Sequence, residues 1–409
     1  MFKADNQIVG LEIGTSKVCA IIGRMDKDGR LSIAGIGQSV SRGVRKGEII
    51  DKDLAIVDVR NALTEAEEKW DCEIDSLYLG VTGQHIKSMN NKGAHTILSK
   101  DKIIRQSDLT AVLRNAQVVS LESGRTIIHS LRQNYFIDGR GGITHPVDLT
   151  GSRLEVGVHI IHGQTPRIEL PKLIIEKLQL NIDGIVFNGL ASSLAVLTEE
   201  QMQQGVLLID FGAGTIEYVV FIDGVVYFSG VIAVGGDHIT NDLALGLKIS
   251  LGQAEQLKIK LCTDARCDNI FDPSNKALLA EIEGLENINI DNVIQIIAAR
   301  IIETFKIIEK EISKECLLEY LGAGIVLCGG SARIPGIAKL ASLVFKLPAT
   351  LARISSIESI DSRLDKYEFA TALGLVKFGA MQKSVSVSNK NPTILKKVLN
   401  VFKFGGKNE

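Results

Sequence analysis

Val206-Leu207-Leu208-Ile209-Asp210-Phe211-Gly212-Ala213-Gly214-Thr215 is the stretch on which the fold of this 409-residue chain turns. A six-residue apolar run, interrupted by one carboxylate, breaks at once into a glycine-rich turn that ends in threonine. Ile216 to Ile222 follows as a second β-rich run, and Asp223-Gly224 closes another turn before Val225 to Gly230. This spacing predicts a buried strand, a tight turn and a returning hairpin. The same order opens the chain, where Ile8-Val9-Gly10-Leu11-Glu12-Ile13 runs into Gly14-Thr15-Ser16-Lys17 and on through Val18 to Gly23. Such doubling predicts two similar halves facing each other across a cleft.

The turns have the chemistry of phosphate recognition. Phosphates need backbone N–H donors at close range, which β-carbons obstruct, and a neighbouring hydroxyl adds a further donor. Gly14, Thr15 and Ser16 supply this once, with Lys17 as an additional cation, and Gly212, Ala213, Gly214 and Thr215 supply it again. Asp210, at the end of a buried run, would be costly unpaired, and a hydrated Mg²⁺ beside the phosphates is its natural partner. Glu12 occupies the matching place in the first hairpin. A third run, Ile325 to Cys328, breaks into Gly329-Gly330-Ser331, where a flat base or ribose could lie against the backbone. Neither a GxxxxGK[ST] loop nor a GxGxxG fingerprint occurs.

Composition bounds the alternatives. The length predicts two to four packed subdomains, and 45% hydrophobic with 23% charged residues is a globular balance. A net charge of −2 gives no pull toward nucleic acid. Six scattered cysteines show no CxxC pair and the seven histidines no HExxH spacing, which predicts packing roles in a reduced compartment. His129, His159 and His162 lie among apolar residues, as packing histidines do. The polar start, Met1 to Gln7, lacks a signal-peptide core, and no stretch approaches a membrane span.

Working outward, Leu31 to Val40 predicts a strand and residues 52–70 a helix with Ile56, Val59, Leu63 and Ala66 on one face. Leu77 to Val81 is a further strand. Residues 84–164 change texture to an α+β block, with a helix near 107–119 and strands near 126–137. A helix over 168–180 leads to the strand 184–187, and a long helix is expected over 291–318. Residues 382–391, QKSVSVSNKN, are polar and aperiodic and predict a flexible linker. Beyond it a short helix starts at Pro392-Thr393. On a helical wheel Ile394, Leu395, Val398, Leu399, Val401 and Phe402 fall within an arc of about 160°. Lys396 and Lys403 face away and Lys397 sits at the margin. With six lysines against Glu409 in the last 28 residues, this is the pattern of a helix lying in an anionic membrane interface. One such helix binds only marginally, so self-assembly would multiply the attachment.

These elements, in this order, resemble the actin, sugar kinase and Hsp70 superfamily, and within it the FtsA family of bacterial cell-division proteins. The resemblance covers nearly the whole chain. It is carried by IVGLEIGTSKV (8–18), SRGVRKGEIID (41–51), YLGVTGQHI (78–86), GLASSLAVLTEE (189–200), LLIDFGAGTIEYVVF (207–221), VGGDHITNDLA (234–244) and GIVLCGGSARIPGI (324–337). It implies an α/β, actin-like (ribonuclease H-like) two-lobed fold with an FtsA-type inserted subdomain and a C-terminal amphipathic helix. Residues 1–83 would form the core of lobe 1 with the first phosphate hairpin, 84–164 the inserted subdomain making polymer and partner contacts, and 165–204 the rest of that core. Residues 205–235 would carry the second hairpin in lobe 2, 236–290 its own insertion with base and ribose contacts and a partner-peptide surface, and 291–360 the adenosine motif. Residues 361–381 would return to lobe 1, 382–391 link, and 392–404 bind the membrane.

The resemblance also implies roles. Gly14, Thr15, Ser16, Lys17, Asp210, Gly212, Gly214 and Thr215 match the family's phosphate motifs, Gly329, Gly330 and Ser331 its adenosine motif, and Gly235, Gly236, Glu255 and Lys258 positions near ribose and base, with ATP and Mg²⁺ as ligands. Arg300 aligns near the surface that receives the C-terminal peptide of tubulin-like FtsZ. The chain departs from the family at Ala213, commonly glycine, and at Arg132 and Asp148, where Pro and Gly are expected. An efficient ATPase orients water with a polar side chain, and Gly189 to Leu194 offers only serines, so turnover should be slow or negligible and the protein not an enzyme in the ordinary sense. The implied activity is an ATP-dependent, self-assembling adaptor tying FtsZ filaments, and with them other divisome proteins, to the inner membrane face at the division site. The related type IV pilus assembly ATPase is disfavoured by the block 84–164 and the tail. A sugar kinase would need a sugar-binding signature, and an Hsp70-like chaperone a substrate domain after the ATPase.

Overall fold

Two runs of β-branched residues, each folded back on itself at a glycine turn, build two sheets of the same plan. The computed structural model describes residues 6–26, 29–263, 267–275, 289–354 and 367–387. In lobe 1, β1 (Gln7–Ile13) and β2 (Lys17–Met25) pair antiparallel in unbroken register from Gln7↔Arg24 to Ile13↔Val18, followed by β3 (Leu31–Val40). The short β4 (Val44–Arg45) and β5 (Glu48–Ile49) lead to α1 (Lys52–Trp70), whose cap is Asp51, with its carboxylate accepting from the Asp53 and Leu54 amides. β6 (Ser76–Val81) then lies parallel to β1.

The chain next builds a separate sheet: β7 (Lys87–Thr96), α2 (Gln106–Gln117), β8 (Arg125–Ile137), β9 (Arg140–Ile143) and β10 (Arg153–Gln164), in the order β7-β10-β8-β9. It returns to lobe 1 through α3 (Thr165–Lys177), β11 (Asn181–Phe187), α4 (Asn188–Val196) and α5 (Glu199–Gln204). α3 begins three residues earlier than expected and stops at Lys177, where the Leu178 amide folds back onto the Ile174 carbonyl. The sheet of lobe 1 thus reads β11-β6-β1-β2-β3.

Lobe 2 repeats the plan. β12 (Val206–Phe211), β13 (Ile216–Ile222) and β14 (Val225–Ile232) form the meander, and α6 (Gly236–Leu247), α7 (Leu251–Thr263) and α8 (Ile290–Lys314) cover it. β15 (Ile325–Cys328), α9 (Ile337–Phe345) and β16 (Ala349–Leu351) complete a sheet ordered β14-β13-β12-β15-β16. β15 runs parallel to β12 as β6 does to β1. Phe211, Phe305 and Phe345 pack in sequence at centroid distances of 6.2 and 5.9 Å, joining sheet to helices; such aromatic pairs add to plain area burial. Finally α10 (Ala370–Val387) crosses back to lobe 1. A β-carbon at Gly10 of β1 would stand 2.7 Å from the Ala372 carbonyl, so glycine is what lets α10 lie on the sheet.

The structure corrects the sequence reading at two further points. α10 runs through Val387 and so takes up the first six residues of the expected linker. Lys383 anchors this polar turn by donating to the Gln7 carbonyl at 2.7 Å, a contact no periodicity reveals. The long helix α8 ends at Lys314, before a left-handed Cys316 (φ 55°). The amphipathic segment 392–404 lies outside the described residues. No helix among the described residues is long and apolar enough to cross a membrane.

The inserted sheet is covalently part of lobe 1 but touches both lobes. On the lobe 1 side His129 Nε2 accepts the Phe187 N–H at 2.9 Å. Toward lobe 2, Ser88 donates to the Ser229 carbonyl (2.6 Å), Asn90 to that of Tyr227 (3.0 Å) and Gln133 to that of Val226 (3.0 Å). His159 bridges Asn90 and the Ser229 hydroxyl at 2.8 Å each. Both histidines are buried, as their apolar sequence setting predicted, and His159 is bonded through both ring nitrogens.

Candidate functional site

The two glycine–threonine turns close with the same hydrogen bond. Gly14 N–H donates to the Lys17 carbonyl at 3.0 Å and Gly212 N–H to the Thr215 carbonyl at 3.0 Å. A β-carbon at either glycine would stand 2.8 Å from that carbonyl, so the tight return excludes other residues. The turns also meet each other, because a β-carbon at Gly214 would collide with the Thr15 side chain. Thr15 Oγ1 is held from behind by the Gly47 N–H at 2.9 Å. Between the lobes opens a cavity of about 320 Å³, lined by both turns.

Its floor is acidic. Asp210 ends β12 and is 5% exposed, and Glu217, opposite it on β13, is 4% exposed. Burial raises the carboxyl of Asp210 above its ordinary range, partly offset by the Ser192 and Thr371 hydroxyls. Thr371, at the start of α10, donates to Asp210 Oδ2 at 3.0 Å, so the carboxylate has a protein partner that the sequence, 161 residues away, did not suggest. Burial, with Asp210 nearby, pushes Glu217 up to about 8. Its Oε1 accepts the hydroxyl of Thr82, which follows β6. Glu12 is raised to about 7, by burial first, with Lys17 opposing and Asp210 adding. Its Oε2 is enclosed with no hydrogen-bond partner. Among the described residues no three His, Cys, Asp or Glu side chains converge as a metal cage. The pair Glu12 and Asp210, one oxygen unpartnered, suits a cation that keeps most of its waters.

The opposite end is built from lobe 2. Gly329 (φ 88°) breaks β15 into the cavity, and Gly330 faces open space. Ser331 Oγ donates to the Gly212 carbonyl at 3.0 Å, tying this element to the second turn. Lys258 donates to Thr240 Oγ1 (2.8 Å) and the Gly236 carbonyl (3.1 Å) and pairs with Glu255 at 2.8 Å. Glu255 and Lys258 line the cavity beside Ile259, Cys262 and Tyr367, an apolar setting suited to a base.

Most of the residues singled out in the sequence thus converge. Gly235 and Gly236 stand behind the wall, since the Gly236 and Asp237 amides donate to the Gly212 and Ala213 carbonyls at 3.0 and 2.8 Å and brace the turn. Ala213 lies outside the left-handed region, so its β-carbon imposes no strain. Asp148 does adopt φ 67°, a conformation Asp tolerates in place of glycine. Lys17 lines the cavity but donates to the Glu368 carbonyl at 2.7 Å and lies 4.1 Å from the Phe369 ring centroid. Arg300, on α8 and away from the cavity, is clasped by Asp242 of α6 (2.5 and 3.0 Å) and by Glu303 (2.6 Å). Sequence reasoning missed Thr82, Asn188, Glu217 and Thr371, all on the cavity wall. Glu217 had a signal, a carboxylate inside the otherwise apolar run Ile216 to Ile222.

Two family models match the chain: "SHS2 domain inserted in FTSA" over residues 83–162 and "Cell division protein FtsA" over residues 207–374. The chain is 34% identical over 400 residues to the cell division protein FtsA of Borreliella burgdorferi, covering 94% of this chain and 96% of that one. It is 30% identical over 387 residues to FtsA of Pseudomonas aeruginosa (94% and 92% covered) and 30% over 390 residues to FtsA of Escherichia coli K12 (93% and 92%). Among solved structures, a chain of the PilM–PilN type IV pilus biogenesis complex superposes with a TM-score of 0.65 at 13% identity, covering 91% of this chain and 98% of that chain. MreB5 of Spiroplasma citri bound to ADP does so with a TM-score of 0.51 at 13% identity, covering 94% and 100%. At such identities these two likenesses establish the actin-like fold alone.

Proposed function

This chain belongs to the FtsA family of cell-division proteins, and from that membership we propose that it is an ATP-binding adaptor that self-assembles at the inner membrane face and anchors FtsZ filaments there. ATP would lie in the cavity, its phosphates between Gly14–Lys17 and Gly212–Thr215, its base toward Glu255, Lys258 and Gly329–Ser331. Mg²⁺ would sit through water on Asp210, with Glu12 beside it. The segment 392–404 would bind the anionic surface through Ile394, Leu395, Val398, Leu399, Val401 and Phe402, with Lys396, Lys397 and Lys403 facing the headgroups. Arg300 would meet the acidic C-terminal peptide of FtsZ by exchanging its bonds to Asp242 and Glu303. Hydrolysis would be weak, with ATP acting chiefly as an assembly ligand, and later division proteins would use the inserted sheet.

The observation that carries this reading is that one FtsA-family chain has two facing glycine–threonine turns on a single cavity and a lysine-flanked apolar arc over 394–403. Cosedimentation with vesicles containing anionic lipid tests it. The full chain should pellet, more completely with ATP, and a chain lacking residues 392–409 should stay in the supernatant. Equal pelleting of both chains would refute the anchor.

A further inference from the structure

We propose that Lys17 is a positioning residue, which holds the entrance of α10, and through Thr371 the carboxylate of Asp210, where Mg²⁺ is bound. The inference rests on the reading of the cavity as an ATP and Mg²⁺ site. Lys17 opens β2 at the end of the first glycine–threonine turn and lines the cavity. Its Nζ donates to the Glu368 carbonyl at 2.7 Å and stands 4.1 Å from the centroid of the Phe369 ring. An ammonium has three N–H donors and no acceptor. Here one donor is committed to a carbonyl, while the face of the ring attracts the charge.

The stretch that Lys17 grips is pinned from the other lobe as well. Gly329, which follows β15, donates its N–H to the Tyr367 carbonyl at 3.0 Å, and Arg333 pairs with the Glu368 carboxylate at 2.9 Å. Phe369, 4% exposed, belongs to the same buried cluster as Ala372 and Leu375 of α10 and Ile8 of β1. Two residues further on, Thr371 donates to Asp210 Oδ2 at 3.0 Å. Residues 367–371 thus form a short bridge, held by lobe 2 on one side and by Lys17 of lobe 1 on the other, with Asp210 at its end. A threonine on the first turn of a helix is placed only as well as that turn itself.

A lysine serving the phosphates directly would keep its ammonium free to follow them, whereas this one is committed to a carbonyl 351 positions away. The first turn can hold a phosphate without it, because Gly14, Thr15 and Ser16 remain on the cavity wall. The charge of Lys17 also opposes the burial that raises the carboxyls of Glu12 and Asp210. Both effects of the residue, on charge and on position, therefore fall on the carboxylates.

Isothermal titration of the full chain with ATP, once in Mg²⁺ and once in EDTA, tests the assignment. Lys17→Met should weaken binding in Mg²⁺ by about fivefold or more, while binding in EDTA stays within about twofold. Thr371→Val should show the same pattern, and the double variant should lose no more than the worse single one, because both changes act through one carboxylate. Lys17→Arg, able to donate to the same carbonyl and lie over the same ring, should restore most of the loss. A merely structural lysine would lower the melting temperature and weaken binding equally in both buffers. A direct phosphate ligand would also weaken both, and its loss would add in full to that of Thr371→Val. Either result would overturn the inference. Should Lys17→Met fail to fold, Phe369→Leu removes the ring and should give the same Mg²⁺-dependent loss at smaller size. Parent affinity in Lys17→Met, or a parent whose ATP affinity ignores Mg²⁺, would overturn it and leave the ATP site standing. A parent that binds no ATP in either buffer would overturn both readings.

Discussion

Thr15 and Gly214 touch across the cavity, each at the tip of its own turn, so that the hydroxyl of one occupies the space a side chain on the other would need. The contact sets the separation of the two turns. Gly214→Ala should wedge them apart and weaken ATP binding by about tenfold or more, equivalent to about 1.4 kcal/mol. Titration with a fluorescent ATP analogue measures this, and the melting temperature should move little, because the strands behind the turn are untouched.

Asp210→Ala should weaken Mg-ATP binding by well over about tenfold, since it removes the only cavity carboxylate at the end of β12. Thr371→Val, which takes away the hydroxyl 3.0 Å from Asp210 Oδ2, should give a smaller loss. The double variant should be less than additive, because both changes act on one carboxylate. Isothermal titration with and without Mg²⁺ separates a metal role from a structural one.

Acid should loosen the inserted sheet. Burial lowers His129 and His159 to about 3, well below the ordinary histidine value. A depressed histidine binds fewer protons folded than unfolded between about pH 3 and about 6.5, so stability falls as pH drops through that window, by about 1.4 kcal/mol per unit for each group. Thermal melts from pH 7 to pH 4.5 should show this slope. His159→Gln, able to keep bonds to Asn90 and Ser229, should flatten it.

Reversal of Lys396, Lys397 and Lys403 to glutamate should abolish pelleting with anionic vesicles while leaving ATP binding intact. The parent's pelleting should weaken as salt rises, because headgroup attraction to lysine is screened beyond about 8 Å at physiological ionic strength. Flotation of both proteins across a salt series reads the two effects.

Arg300→Ala should leave stability nearly unchanged, since a surface ion pair contributes about 0–1 kcal/mol. Binding of a fluorescent FtsZ C-terminal peptide should fall by about tenfold, as expected for loss of a charged anchor at an interface. Asp242→Asn, which loosens the clasp, should move affinity the other way.

The hairpins, the order of the two meanders and the glycine turns were legible because each is written in contiguous residues: apolar runs of period two, then glycine. Glu12 and Asp210 stood out as charges inside such runs. What sequence could not supply was partnership over distance. Thr371 reaches Asp210 from 161 positions away, and Arg300 finds Asp242 at a separation of 58. Asn188, an ordinary helix-opening residue in the sequence, reaches the cavity wall because α4 starts there, against Gly80 of another strand. The helical turns at 382–387 were unreadable because they have no apolar period and take an anchor from Gln7, at the other end of the chain.

The inserted sheet, spliced into one lobe yet bonded along the outermost strand of the other, ties the two sides of the cavity together. Any rotation that widens the cavity must stretch or shear the bonds from Ser88, Asn90 and Gln133 to β14. A partner that gripped the sheet and a ligand that held the cavity closed would therefore act on the same three bonds.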